Sequence, residues 1–190
     1  MQENHDKIEK VAKNFSEIME TLGMDLTDDS LKDTPLRVAK MYVNEIFSSL
    51  TQDPPKLTKF ENTDDIDQIV IVKNIVLNSM CEHHFMPILG KVHIGYIPQG
   101  KILGLSKFNR VTQFAGAKPQ VQERIVQDIF NMLSPVIGED IIIVAEAEHL
   151  CSKVRGPKDP CSSTTTSLAN GRFRSDKSIK DEFYNLLKIV

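Results

Sequence analysis

The chain has 190 residues, 23 basic and 26 acidic, and a formal net charge of −3, which excludes a global field that would recruit nucleic acid or an anionic membrane. With 41% hydrophobic residues the chain can bury one good core or two small lobes. The polar start and the absence of a long apolar run predict a cytoplasmic protein that has no signal peptide and no membrane span. Three cysteines, an odd number, disfavour a disulfide framework.

Two amphipathic helices are predicted near the start of the chain. Apolar residues recur at helical spacing between residues 6 and 24, which indicates a helix with one buried face that ends at Gly23. A second helix is predicted from Thr34 to about Leu50, because threonine suits an N-cap and Pro35 suits the first turn. We therefore expect an N-terminal helical region over residues 1–60.

Strand-like sequence begins at Ile69 with a run of β-branched residues. Ser106 is predicted to cap the first helix of this region, and Pro119 to precede the second. The predicted elements, in chain order, are strands at 69–77 and 91–98, helices after residues 106 and 119, strands at 140–148 and 162–166, and a helix at 179–187. This order predicts an α+β fold with an antiparallel ββααββ sheet backed by helices, and a catalytic domain over residues 61–190.

Two short strings contain the side chains best suited to bind a metal. They are Cys81-Glu82-His83-His84 and His149-Leu150-Cys151. Thiolate and imidazole are the ligand mixture that Zn²⁺ prefers, and the Cys81-x-x-His84 spacing allows a tight turn to direct both end residues at one ion. If His149 and Cys151 lie on a strand, they share one face, and Cys151 is the natural third ligand.

A catalytic and a structural zinc site are both compatible with these strings. Three protein ligands would leave a position for water, as in a catalytic site, whereas a fourth ligand from another histidine would close the site. His83 and His149 favour the catalytic alternative, because imidazole exchanges protons near neutral pH. His93 is expected to be a surface or core histidine within an alternating strand, and His5 a terminal residue.

Gln122 and Glu123 open the predicted helix after Pro119. An amide followed by a carboxylate could pair with the neighbouring N1–H and 2-amino donors of guanine, although a solvated first helical turn would show the same pair. Cationic residues also recur at helical spacing, where ordinary surface charge is the default interpretation. They are Arg37, Lys40, Lys107, Arg110 and Arg155.

At these residues the chain resembles the GTP cyclohydrolase I family over roughly residues 25 to 188. Five motifs in family order carry the resemblance. They are Asp33-Thr34-Pro35-Leu36-Arg37-Val38-Ala39-Lys40-Met41-Tyr42, Cys81-Glu82-His83-His84, Gly104-Leu105-Ser106-Lys107, Gln120-Val121-Gln122-Glu123-Arg124, and His149-Leu150-Cys151 through Arg155-Gly156.

The resemblance implies a tunnelling fold assembled into a toroidal homodecamer with active sites at subunit boundaries. It implies hydrolytic opening of the guanine imidazole ring of GTP, release of formate, ribose rearrangement and closure to 7,8-dihydroneopterin triphosphate, the first step of tetrahydrofolate and pterin biosynthesis. The implied zinc ligands are Cys81, His84 and Cys151. The implied proton-transfer residues are His149, His83 and Ser106.

The same resemblance assigns the substrate contacts. Gln122 and Glu123 are the implied guanine-binding residues, with the backbone of Leu105 and Ser106 alongside. The implied triphosphate and ribose contacts are Arg37, Lys40, Lys107, Arg110 and Arg155. Cys161 has no family role that we can assign from the sequence.

Three rival functions share part of this pattern. A zinc nucleobase deaminase would need His-x-Glu and a later Pro-Cys-x-x-Cys, and the sequence has neither. A nicotinamide-dependent reductase of deazaguanine nitriles would share the fold and would consume NADPH. A zinc-stabilised nucleotide-binding module would bind GTP without releasing formate.

Overall fold

The computed structural model describes residues 2–188, with side chains from residue 4 onward, as two units that divide between Gln52 and Asp53. In the first unit, helix α1 (Gln2–Thr21) packs against helix α2 (Thr34–Met41). Both predicted helices are present. The last helical residue of the first is Thr21, and Gly23 ends the helix as predicted, with a φ of 82°.

The second helix differs from its prediction at both ends. Its N-cap is Asp33, and Thr34 is already helical without a capping hydrogen bond, so the assignment of Thr34 as the cap was wrong. The α-helix stops at Met41 and continues as a π-helical turn (Tyr42–Ile46) and a 3₁₀ turn (Ser48–Leu50). The N–H of Phe47 donates to the carbonyl of Tyr42 at 2.9 Å, five residues back, and the two rings pack with centroids 4.8 Å apart.

A five-stranded sheet organises the second unit. Its strand order is β5-β2-β3-β6-β7, and every neighbouring pair is antiparallel except the parallel pair β2–β5. The bounds are β2 (Val70–Cys81), β3 (Pro87–Tyr96), β5 (Pro119–Gln120), β6 (Ile141–His149) and β7 (Thr164–Ala169). A separate two-stranded sheet pairs β1 (Lys59–Glu61) with β4 (Lys101–Leu103).

Helices cover both faces of the sheet at β6. Ile143 and Ala145 belong to the larger core, which also contains buried residues of α3 (Ser106–Gly116) and α4 (Gln122–Ile137). Ile142 and Val144 point to the opposite face because strand side chains alternate, and they pack with Phe173 of α6 (Arg172–Ser175) and Phe183 of α7 (Lys177–Leu187).

The ββααββ order and the α+β class are therefore confirmed, and the sheet is mixed through its short parallel strand. The strand predicted at 162–166 instead runs over Thr164–Ala169, and the one predicted at 91–98 begins at Pro87. Sequence patterns missed β1, β4 and β5, which have only two or three residues each. None of the helices in the described part of the chain is long and apolar enough to cross a membrane.

Candidate metal centre and active site

A tight turn after β2 presents the first predicted ligands. The N–H of Phe85 donates to the carbonyl of Cys81 at 2.9 Å, and the N–H of Cys81 donates to the carbonyl of Met86 at 2.8 Å. These bonds close the turn that contains His83 and His84. The Cys81 side chain is buried, whereas both histidines are exposed, so the turn holds one sulfur against the core and directs imidazoles outward.

The second string is not a strand throughout, which corrects the sequence interpretation. His149 is the last residue of β6, and Cys151 lies in a helical turn, α5 (Leu150–Lys153). The backbone therefore changes direction between the two residues, and they do not share a strand face as predicted. The pairing of His149 with Ile88 places the end of β6 beside the start of β3, which follows the Cys81 turn. The helical turn after β6 therefore brings Cys151 to the Cys81 turn.

The structure brings the three predicted ligands together. The sulfurs of Cys81 and Cys151 and a ring nitrogen of His84 lie within 4.8 Å of one another. Zinc bonds of about 2.0–2.3 Å place tetrahedral ligands roughly 3.5 Å apart, so small side-chain rotations bring all three atoms onto one ion. Two sulfurs and one imidazole nitrogen are a donor set that zinc accepts.

The surroundings of the Cys151 thiol also fit a cation site. Burial and the neighbouring Cys81 raise the pKa of the Cys151 thiol, while the Arg155 guanidinium opposes this shift. Two thiolates so close to each other would repel without a positive ion between them. A bound cation would remove that repulsion, because metal ligation requires the deprotonated sulfur.

His83 contacts this three-residue group, and His149 lies two residues before Cys151 in the chain. Nδ1 of His83 is 3.8 Å from Sγ of Cys81. Nε2 of His149 is 2.8 Å from Oε1 of Gln122, the first residue of α4. Burial lowers the pKa of the His149 imidazole below the ordinary histidine value, and the Glu123 carboxylate opposes this shift.

Gln122 and Glu123 have opposite surroundings although they are adjacent. Gln122 is 1% exposed, and its amide is surrounded by protein atoms. Glu123 is exposed, and its carboxylate influences the His149 ring. The exposed carboxylate is therefore available to a ligand, whereas the buried amide is already engaged.

An ion pair that the sequence analysis missed joins the two parts of the site. Nη1 of Arg124 lies 2.6 Å from Oε2 of Glu82. Both residues belong to motifs that carry the family resemblance, but they are 42 positions apart in the chain. No local sequence pattern predicts that they pair. Thr164 and Thr166 were also missed as neighbours of Gln122, because only the β6–β7 pairing brings them there.

The residues at the start of α3 occupy a more open position. Leu105 is the N-cap residue, so the prediction that Ser106 caps the helix was wrong, and the structure shows no capping side-chain bond there. Leu105, Ser106 and Arg110 are exposed, and Lys107 is half-buried. The described contacts do not join these four residues to the Cys81–His84–Cys151 group.

The remaining predicted cations lie in two different units. Arg155 follows α5, is exposed, and influences the Cys151 thiol electrostatically. Arg37 and Lys40 lie on α2 of the first unit with exposed side chains, and Arg37 pairs with Asp33 at 3.4 Å.

Comparison with known proteins gives one consistent family. The family model described as GTP cyclohydrolase I matches residues 11–188. A GTP cyclohydrolase 1 of Aeromonas salmonicida is 49% identical over 184 residues, which cover 96% of this chain and 84% of that protein. GTP cyclohydrolase 1 of Aeromonas hydrophila is 47% identical, with 98% and 86% covered. The protein of the same name from Flavobacterium johnsoniae is 46% identical, with 98% and 84% covered.

A solved structure is also similar to part of the chain. It is described as an archaeosine synthase QueF-Like in the apo form, with a TM-score of 0.44 and 13% identity over 53% of this chain and 91% of that one. The sequence matches alone determine the family assignment.

Proposed function

Because the chain belongs to the GTP cyclohydrolase I family, we propose that it hydrolyses the guanine imidazole ring of GTP, releases formate and forms 7,8-dihydroneopterin triphosphate. The observation that carries this proposal is the juxtaposition of Cys81, His84 and Cys151. The ring of His149, two residues before Cys151, is hydrogen-bonded to Gln122. A three-ligand group leaves a coordination position for a reactant, which a hydrolytic site requires.

Cys81, His84 and Cys151 would hold zinc. When bound there, zinc would supply a Lewis acid that lowers the pKa of a coordinated water to near neutrality. The structural alternative needs a fourth ligand, and the group contains three members among the residues whose side chains are described. This count favours the open, catalytic type of site.

The protein's own residues would bind GTP and move protons. Exposed Glu123 would accept hydrogen bonds from the guanine N1–H and 2-amino group, because a carboxylate offers two acceptor oxygens. The backbone of Leu105 and Ser106 would lie alongside the base. His149 would exchange a proton with the imidazole ring nitrogen of guanine, and His83 and Ser106 would assist the later ribose steps.

A set of cationic side chains would bind the triphosphate. Guanidinium and ammonium groups are the usual partners of phosphate, and arginine binds it with two donors at once. The proposed residues are Arg37, Lys40, Lys107, Arg110 and Arg155. In the described structure Lys107, Arg110 and Arg155 belong to the second unit, and Arg37 and Lys40 to the first.

The assembly and location of the protein remain part of the proposal. We propose a tunnelling fold that assembles through its sheets into a toroidal homodecamer, with active sites at subunit boundaries, residues 61–190 as the catalytic domain and residues 1–60 as a helical region. β7 supports sheet-to-sheet assembly, since it is the terminal strand of its sheet and can pair with another chain. A cytoplasmic location completes the proposal.

One assay tests the activity directly. Purified, zinc-loaded protein is incubated with GTP, and the mixture is analysed for formate and, after oxidation and dephosphorylation, for fluorescent neopterin. The proposal expects both products in equal amounts and no NADPH oxidation. GTP binding without formate would support a binding module, and NADPH consumption with a nitrile substrate would support the reductase. Light scattering of the same sample would test the decamer.

A further inference from the structure

The side-chain amide of Gln122 has a neighbour at each of its ends. Nε2 lies 3.0 Å from the carbonyl oxygen of Ala145, 2.9 Å from that of Thr164 and 3.1 Å from Oγ1 of Thr166. Oε1 lies 2.8 Å from Nε2 of His149. The residue is 1% exposed, so water does not compete for these positions.

These neighbours determine which end of the amide is nitrogen. The carbonyl oxygens of Ala145 and Thr164 can only accept hydrogen bonds, so the amide group that faces them must donate. The reversed amide would place Oε1 against these two carbonyl oxygens in a buried position, where neither atom can donate a hydrogen bond to the other. The NH₂ group therefore faces β6 and β7, and Oε1 faces His149.

The orientation of the amide in turn determines the tautomer of His149. Oε1 of an amide accepts hydrogen bonds and donates none. The ring nitrogen that contacts it, Nε2, must therefore be the one that carries hydrogen in the neutral imidazole. Nδ1 then presents a lone pair, and it makes no hydrogen bond with a side chain or backbone group in the described residues.

We propose that Gln122 is a positioning residue that holds His149 as the Nε2–H tautomer, so that Nδ1 is the atom that exchanges protons with the substrate. This inference rests on the proposed function and deepens it. It also changes the role that the resemblance assigned to the Gln122 side chain. To bind guanine, the amide would have to release the β6 and β7 oxygens or the His149 ring.

Glu123, by contrast, keeps its assigned role in guanine binding. Its carboxylate is exposed, while the neighbouring amide is buried. The two adjacent residues at the start of α4 thus have different roles, Glu123 in guanine binding and Gln122 in positioning His149. Removal of each side chain should therefore alter a different measured quantity. Loss of Glu123 should weaken GTP binding, and loss of Gln122 should slow turnover at unchanged GTP binding.

The first test measures the tautomer in the unmodified protein. Zinc-loaded protein labelled with ¹⁵N-histidine, without GTP, is examined by magic-angle-spinning NMR at a pH where the ring is neutral, and His149→Ala identifies the resonance. The proposal expects hydrogen on Nε2 and an unprotonated Nδ1. Hydrogen on Nδ1 would overturn it. Because this measurement involves no turnover, it remains valid even if the GTP assay shows no product and the proposed function fails.

The second test compares Gln122→Met with Gln127→Met. Gln127 lies on the same helix, is exposed and bonds to Asn131 at 2.9 Å, so it provides the same substitution away from the site. For Gln122→Met we expect a mixture of tautomers and a kcat lowered about 10- to 100-fold, with KM within about twofold. For Gln127→Met neither quantity should change.

The third test separates positioning from guanine binding. The dissociation constant for GTP is measured by calorimetry in His149→Ala and in the double variant His149→Ala/Gln122→Met, where turnover does not interfere. A positioning role predicts constants within about twofold of each other, since the partner of the amide is already absent. A tenfold weaker constant in the double variant would show that Gln122 binds the base, and would overturn the proposal.

Discussion

Arg124, near the start of α4, contacts Glu82, in the turn after β2, with 2.6 Å between Nη1 and Oε2. The pair ties the segment that contains Gln122 and Glu123 to the turn that contains Cys81, His83 and His84. Glu82 holds the pKa of Arg124 above its ordinary value through this bond and its charge. The contact therefore connects the proposed base-binding segment to the proposed metal ligands.

We expect Arg124→Met to weaken metal binding more than folding. The pair is partly exposed, with side chains 52% and 31% accessible, so its loss should change the free energy of unfolding little. Because Glu82 is adjacent to Cys81, loosening the turn should raise the zinc dissociation constant about 10-fold. Competition with a zinc-binding dye and urea unfolding measure the two quantities.

Lys118→Met is the matched control for this pair. Lys118 lies before α4 and pairs with Asp128 of that helix at 2.8 Å. This substitution therefore removes a different ion pair of α4. Its zinc affinity should equal that of the unmodified protein. Equal zinc affinities in Arg124→Met and Lys118→Met would remove the assigned role of the Arg124–Glu82 pair.

Metal content should distinguish Cys151 from His149. Cys151→Ala removes one of three ligand atoms, so purified protein should lose nearly all of its zinc, whereas His149→Ala should keep zinc and lose ring opening. Cys161→Ala is the control, because this cysteine is exposed and lies outside the three-residue group. Zinc loss in His149→Ala would place His149 among the ligands.

Removal of the Glu123 carboxylate should weaken GTP binding and leave the metal site intact. For Glu123→Ala we expect GTP binding weakened at least 10-fold, since two acceptor positions for guanine disappear, with zinc content unchanged. Glu182→Ala removes an exposed carboxylate from α7 and should bind GTP normally. Calorimetry on both proteins measures the effect, and normal affinity in Glu123→Ala would contradict the assignment.

His93 should make stability depend on pH. Burial lowers the pKa of its imidazole, and Nδ1 accepts the N–H of Asn74 at 3.2 Å beside the irregularity in the β2–β3 pairing. The folded state thus binds this proton less readily than the unfolded chain, whose histidine pKa is about 6.5. Stability is therefore lost as pH falls below about 6.5, down to the folded pKa.

The groups that face His93 modify this effect. Glu146 raises the pKa of the ring, and Lys91 and Lys73 lower it. Urea unfolding of the metal-free protein between pH 7 and pH 5 should show a smaller loss of stability in His93→Gln than in the unmodified protein. An equal loss in both proteins would exclude His93 as a contributor.

The sequence by itself predicted the main elements and selected Cys81, His84 and Cys151, which the structure brings together, as the proposed metal ligands. Alternating β-branched residues and helical periodicity predicted the ββααββ order, because these patterns depend on neighbours in the chain. The Cys81-x-x-His84 spacing likewise predicted its turn, since four residues suffice to form it. Five motifs in order also predicted the family, which the match over residues 11–188 confirms.

The tertiary structure alone decided how distant residues meet. His149 and Cys151 differ in backbone conformation because β6 ends between them, which no spacing rule revealed. Gln122 and Glu123 are equally polar in sequence, yet one is buried against β6 and β7 and the other is exposed. Burial and hydrogen-bond partners depend on which strands pair across more than 20 residues, and side-chain roles at the site follow from those pairings.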